Sequence, residues 1–145
     1  MKRLTTITIA LACGVGAVWA DTDPIAERRA LMKNDGMAAK KMFDMSKGTA
    51  PFDLATVQDS LKTLAIAAEK EPTLFPDNSN TGGGTAALPA IWQNKADFNA
   101  RFVKFAKDVA AAQAGIVDEA SFKKLAPAVF QNCGGCHELY KAKSG

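Results

Sequence analysis

Five consecutive residues near the C-terminus, Cys133-Gly134-Gly135-Cys136-His137, bring two thiols and an imidazole together. Cysteines three positions apart share one face of a helix, and the adjacent histidine projects from the same turn. Thiols so placed can each form a thioether to a vinyl group at the edge of a haem, with the His137 imidazole turned to the iron as proximal ligand. This is the C-x-x-C-H signature of covalent c-type haem attachment. Gly134 and Gly135 leave the backbone room against a macrocycle. Three other chemistries use similar residues. A thioredoxin-like pair needs a strand-to-helix setting, and no βαβ pattern precedes these residues. Zinc would take Cys133, Cys136 and His137 from one turn but needs a fourth ligand, which Glu138 cannot supply from the next position. A plain disulfide in a structural helical protein is the third alternative.

Composition favours haem. The chain has 145 residues with three Cys and a single His. One imidazole excludes a His-rich zinc site or a two-histidine haem ligation built from this chain, and a Ser-His-Asp triad would have to use His137 itself. At the N-terminus, Lys2 and Arg3 precede an apolar run from Ile7 to Val18, and Val18-Trp19-Ala20 stands ahead of a polar Asp21-Thr22-Asp23. That is a secretory signal, so residues 1–20 are expected to be cleaved and residues 21–145 to form one domain. A retained anchor or a lipidated Cys13 fits less well, since Ala10 rather than Leu lies three before Cys13. The run is well short of the roughly 20 residues that span a bilayer. The expected product is periplasmic, with no membrane span after signal cleavage. Cleavage takes Lys2, Arg3 and Cys13 and leaves 125 residues with 16 basic and 15 acidic side chains. A charge near neutrality with dispersed lysines excludes a nucleic-acid footprint. The two remaining cysteines are those of the motif, so there is no disulfide framework.

Four amphipathic segments must position these residues. The first begins at an Asp23 cap with Pro24 at the first helical position and runs to about Lys47, stopping at Gly48. Ile25, Met32 and Ala39 recur every seven residues beside Leu31, Ala38 and Met45, with Gly36 as a mild interior cost. The second, capped by Asp53, carries Leu54, Val57, Leu61, Leu64, Ala65 and Ala68 and ends before Pro72. Pro72 to Leu88 reads as a long loop containing Gly82 to Gly84. After a short turn at Pro89 to Trp92, the third places Phe98, Phe102, Phe105, Val109 and Ala112 on one face and ends at Gly115. The fourth starts near Asp118 and carries Phe122, Leu125, Val129, Cys133, Cys136, His137 and Tyr140 along one side. Pro127 falls inside it, where it should kink the helix or delay its start. The expected fold is all-α, an antiparallel four-helix bundle with covalently bound haem c.

A C-terminal C-x-x-C-H on the last of four helices resembles the class II cytochromes c, the cytochrome c prime family with its low-spin branch. The resemblance runs from Pro24-Ile25-Ala26-Glu27-Arg28-Arg29-Ala30-Leu31-Met32-Lys33 through Lys47-Gly48-Thr49-Ala50-Pro51-Phe52-Asp53, Leu74-Phe75-Pro76 and Leu88-Pro89-Ala90-Ile91-Trp92 to the motif and Glu138-Leu139-Tyr140-Lys141-Ala142-Lys143. It implies Arg28 near a haem propionate and, four residues on, Met32 over the distal face of the iron. Arg29 and Thr85 are further candidates for the haem periphery.

Two readings of Met32 stay open. If its sulfur bonds iron, the haem is six-coordinate and low-spin and suits electron transfer by Fe(III)/Fe(II) cycling. If it only packs there, as methionines on an apolar stripe commonly do, the iron is five-coordinate and the resemblance implies binding of small gases such as nitric oxide or carbon monoxide. On the first reading the protein is an electron carrier and not an enzyme, and its partners are redox proteins of the periplasm, met through lysines such as Lys141 and Lys143. The resemblance also implies a possible homodimer through the first two helices.

Overall fold

The computed structural model describes residues 23–143. The expected signal segment, residues 1–20, and Cys13 within it lie outside them. Helix α1 spans Pro24–Ser46, with the Asp23 carboxylate accepting from Ile25 N at 2.9 Å as its cap. It stops where Gly48 takes φ 72°, a left-handed conformation that a β-carbon would strain. Helix α2 spans Leu54–Lys70 under an Asp53 cap that accepts from Thr56 N at 2.7 Å. The expected loop is more structured than its composition suggests, since 3-10 turns occupy Glu71–Leu74 and Asp77–Ser79. A one-turn helix, α3, covers Ala90–Gln93, and α4 covers Lys95–Gly115. Helix α5 covers Glu119–Tyr140 and opens with a reciprocal capping box between Asp118 and Ser121.

Pro127 does not delay α5, which is helical from Glu119 onward. Both Pro127 and Lys123, whose carbonyl loses its N–H partner four residues on, lie on the exposed face, where water can satisfy the freed oxygen.

Helix α1 packs along α2, α2 along α4 and α4 along α5, while α1 and α5 meet much less. The closed seams bury Met42, Val57, Leu61, Leu64, Phe98, Val109, Phe122, Ala126 and Val129, each 2% exposed or less. Phe98 is the hub of the aromatic packing, edge-on to Phe75, Phe102 and Tyr140 with ring centroids 4.8, 5.2 and 5.3 Å away. The seven-residue stripe of α1 divides between two environments. Ile25 and Ala38 are buried, whereas Leu31, Met32, Ala39 and Met45 are only half-buried. A straight helix has 3.6 residues per turn, so a seven-residue row drifts by about 20° per repeat. Met32 and Ala39 thereby turn from the core toward the open α1/α5 seam.

Candidate functional site

The site lies in that open seam. On its α5 side, Cys133 and Cys136 are unbridged and half-buried, and His137 stands in the next position on the same turn. Burial pushes both thiols up, Cys136 to about 11 against the opposing pull of Arg101. They are therefore protonated at neutral pH, unlike the low-pKa thiol of a disulfide oxidoreductase. Burial and the neighbouring Lys141 ammonium push His137 down, which keeps its imidazole neutral with a nitrogen lone pair free for a metal. Among the described residues no cluster of three or more His, Cys, Asp or Glu is arranged to hold a metal ion.

Across from this turn stands α1. The cleft has two halves, and Met32, Cys136 and His137 border both. In one half Asp35, Gly36 and Ala39 of α1 and Glu71 face Phe102, Phe105 and Cys133. The aromatic stripe expected on α4 is buried in the core and also lines the cleft, Phe102 and Phe105 in this half and Phe98 in the other. The other half is bordered by Arg28, Arg29, Lys33, Thr85, Lys141 and Lys143, so its mouth is cationic.

Arg28, Arg29 and Thr85 are brought together, and Arg28 is only 3% exposed. Its Nη1 donates to the Leu74 carbonyl at 2.9 Å and to Ser79 Oγ at 2.8 Å. Its Nη2 donates to the Ser79 carbonyl at 2.7 Å and to Thr85 Oγ1 at 2.8 Å. The guanidinium also lies over the Phe75 ring, 4.6 Å from its centroid. Desolvation lowers its pKa, with Asp23 opposing, but a guanidinium keeps its charge. Arg28 is thus the clasp that holds segment 74–85 on α1, a task that its place in the sequence does not reveal. Arg29 donates to the Gly83 carbonyl at 2.8 Å. Gly83 has φ 55°, and a β-carbon there would come 2.8 Å from Ile25 Cγ2, so the glycine run permits a close approach to α1 and is no slack linker.

Helix α4 fixes the motif from behind. Arg101 Nη1 donates to the Gly135 carbonyl at 3.1 Å, while its Nε and the Tyr140 hydroxyl both donate to Asp97 Oδ2, at 2.7 and 2.5 Å. Those two bonds hold the Asp97 carboxyl below its ordinary range. At the end of α5, Leu88 N donates to the Tyr140 carbonyl at 2.9 Å and Ala142 N to the Ala86 carbonyl at 2.8 Å, tying the loop to the chain that follows the motif. Sequence reasoning missed Asp35, Glu71 and Arg101, whose partners lie on other elements.

The donor set fits a covalently attached haem. Two protonated thiols and a neutral imidazole project from one turn into a cleft walled by phenylalanines, with a thioether side chain on the facing helix. A four-helix bundle with one such C-terminal site is the architecture of a single-haem c-type cytochrome. The family model described as Cytochrome C' matches residues 23–141, and the chain belongs to that family, whose cofactor is one covalent haem c. It is 47% identical to cytochrome c' of Rhodopseudomonas palustris over 97% of both chains. It is 36% identical to cytochrome c-556 of Agrobacterium fabrum, again over 97% of both. The solved cytochrome c' of Rhodopseudomonas palustris superposes with a TM-score of 0.82 at 48% identity, covering 86% of this chain and 99% of that one. Oxidised cytochrome c556 of the same organism gives 0.76 at 31% identity, over 85% and 98%.

Proposed function

We propose that this chain is an exported, periplasmic electron carrier in which His137 and Met32 hold the two axial positions of one haem. The observation that carries this reading is that Met32 and His137, on facing helices, each border both halves of the cleft. The bound haem supplies the Fe(III)/Fe(II) couple. Cys133 and Cys136 fix its edge to α5 through thioethers, and His137 offers its neutral imidazole as proximal ligand. Arg101, bonded to the Gly135 carbonyl, keeps the attachment turn in register with α4. Phe102 and Phe105 exclude water from one side of the cleft. Arg28, Arg29 and Thr85 border the periphery, where the N–H groups left over from the clasp can meet a propionate. Lys33, Lys141 and Lys143 at the mouth suit docking of an acidic redox partner. With His137 and Met32 both retained, a bound haem would change oxidation state with little reorganisation of this chain, and no substrate would be transformed.

Likeness to a cytochrome c' of 47% identity supports a second reading, in which Met32 only packs over an open sixth position that admits nitric oxide or carbon monoxide. Absorption spectra of the oxidised and reduced protein decide between them. Ligation by Met32 gives sharp low-spin bands that Met32→Ala converts to high-spin ones, and the reduced wild type resists carbon monoxide. Low-spin bands that survive Met32→Ala, or rapid carbon monoxide binding by the wild type, would sink the Met32 ligand.

A further inference from the structure

The wall of the cleft contains two carboxyls that electron transfer alone does not use. Glu71, the first residue of the turn that follows α2, is 1% exposed. Its carboxyl lies within hydrogen-bonding reach of the Asp35 carboxyl of α1. Asp35 Oδ1 and Glu71 Oε1 are buried with no other group donating to them, and both side chains line the cleft. A bond between two carboxyls requires a proton on one of them, because ionised carboxylates only accept. The pair therefore holds one proton and one negative charge.

Among the described residues no cation forms an ion pair with either carboxyl. The cation on this stretch of wall, Arg101 of α4, is engaged by Asp97 and the Gly135 carbonyl. The last cation of α2, Lys70, pairs with Glu27 of α1. From α5 the facing titratable groups are Cys133, Cys136 and His137, the first two consumed as thioethers and the third bound to iron in the reading above. The field of the pair reaches across the cleft, since Asp35 and Glu71 both help to raise Cys133 and Glu71 helps to raise Cys136.

We propose that Asp35 and Glu71 form a proton-binding site coupled to the redox state of the haem, so that the protein carries a proton with its electron. This rests on the electron-carrier reading. When a one-electron donor delivers an electron, the cleft gains one negative charge, and the pair restores the balance by taking one proton from water, passing from one proton to two. When an acceptor withdraws the electron, the same proton leaves. Desolvation raises Asp35 to about 6 against the opposing pull of its hydrogen bond with Glu71, and desolvation with repulsion from Asp35 raises Glu71 to about 9, which keeps this exchange within reach of neutral pH.

The test is the midpoint potential of the haem-loaded protein, measured by spectroelectrochemistry from about pH 5 to about pH 9. The wild type is expected to show a segment in which the reduction equilibrium falls tenfold per pH unit, about 59 mV for one electron. The Asp35→Asn/Glu71→Gln double variant is expected to lose that segment, and Asp35→Leu/Glu71→Leu, which refills the wall with apolar volume, to lose it too. Redox difference infrared spectra should gain the carbonyl stretch of a protonated carboxyl on reduction in the wild type alone. Groups at the Arg28 and Arg29 mouth are unchanged in these variants and cancel in the comparison. Parallel potential-pH curves for wild type and a variant that keeps its haem spectrum overturn the coupling while leaving electron transfer intact. A wild type without a reversible couple overturns both.

Discussion

The seam between α2 and α4 is closed by Val57, Leu61, Leu64, Phe98 and Val109, whereas the seam between α1 and α5 leaves its walls half-buried. The difference lies in side-chain volume. Both walls of the first seam carry branched or aromatic residues that interdigitate at interior density. On the second, α1 presents Gly36 and Ala39 and α5 presents Cys133 and Cys136, side chains too small to meet across it. One seam is spent on stability, and the other keeps its chemistry-bearing residues apart and available for a planar group.

The strongest test of this division exchanges large truncations between the seams. Phe122, fully buried, should lose about 3–5 kcal/mol on Phe122→Ala, a large part of the 5–15 kcal/mol typical of a domain, while the haem spectrum of the folded protein stays as it was. Met32→Ala should change the spectrum and cost less stability than Phe122→Ala. Urea unfolding followed by helical dichroism and absorption spectra of both variants check the pair of outcomes. Equal stability losses would mean that the cleft is as much core as the closed seam.

The pH dependence of stability should also belong to the open seam. In the folded protein, burial raises Glu71 to about 9 and Asp35 to about 6, whereas an unfolded glutamate titrates near 4.3. Between those limits the native state binds more protons than the unfolded one, so stability is full below the unfolded value and falls as pH rises through the folded value. Urea midpoints across this range should fall in the wild type, fall in parallel in Phe122→Ala, and flatten in Glu71→Gln. A wild-type midpoint that rises over the same range would contradict a buried protonated pair.

Both seams were unevenly legible in the sequence. The five-residue motif is contiguous, so its spacing alone defines which side chains share a turn. The caps at Asp23, Asp53 and Asp118 announce three helix starts, and the four-and-three spacing of Phe98, Phe102, Phe105 and Val109 announces a buried face. Asp35 and Glu71 are 36 positions apart, one on α1 and the other on the turn after α2, and no motif links them. Their meeting depends on how α1 lies against α2, which no local pattern encodes. The four guanidinium bonds of Arg28 likewise span 46 to 57 positions, so the buried clasp is a role that the expectation of a haem-rim arginine does not contain. Pro127 was visible as a conflict, and only the exposure of its face on α5 resolves it.

That clasp makes one end of the open seam behave like the closed one. Arg28→Lys keeps the charge but loses the planar fork that reaches Leu74, Ser79 and Thr85 together. The expected loss is about 1–3 kcal/mol, accompanied by faster amide exchange across residues 74–85 while the α2/α4 core stays protected. Unchanged exchange in that loop would assign its order to the Gly83 contact with Ile25 and not to the guanidinium.

The smallest effect discriminates most sharply, because one substitution should stabilise a glycine of the open seam more than one of a closed seam. A β-carbon at Gly115 would come 2.6 Å from Leu125 Cδ1 across the packed α4/α5 contact, while one at Gly36 meets nothing within 4 Å. Both glycines lie in helices, where alanine is intrinsically favoured by about 1 kcal/mol. Gly36→Ala should therefore raise the thermal midpoint of the haem-free chain. Gly115→Ala should gain less, or lose about 1 kcal/mol, because Leu125 must shift to make room. Haem attachment should reverse the sign at Gly36 alone, since the added methyl then meets the group that fills the cleft. A gain at Gly36 that persists in the loaded protein would place the haem away from this stretch of α1, and with it away from Asp35.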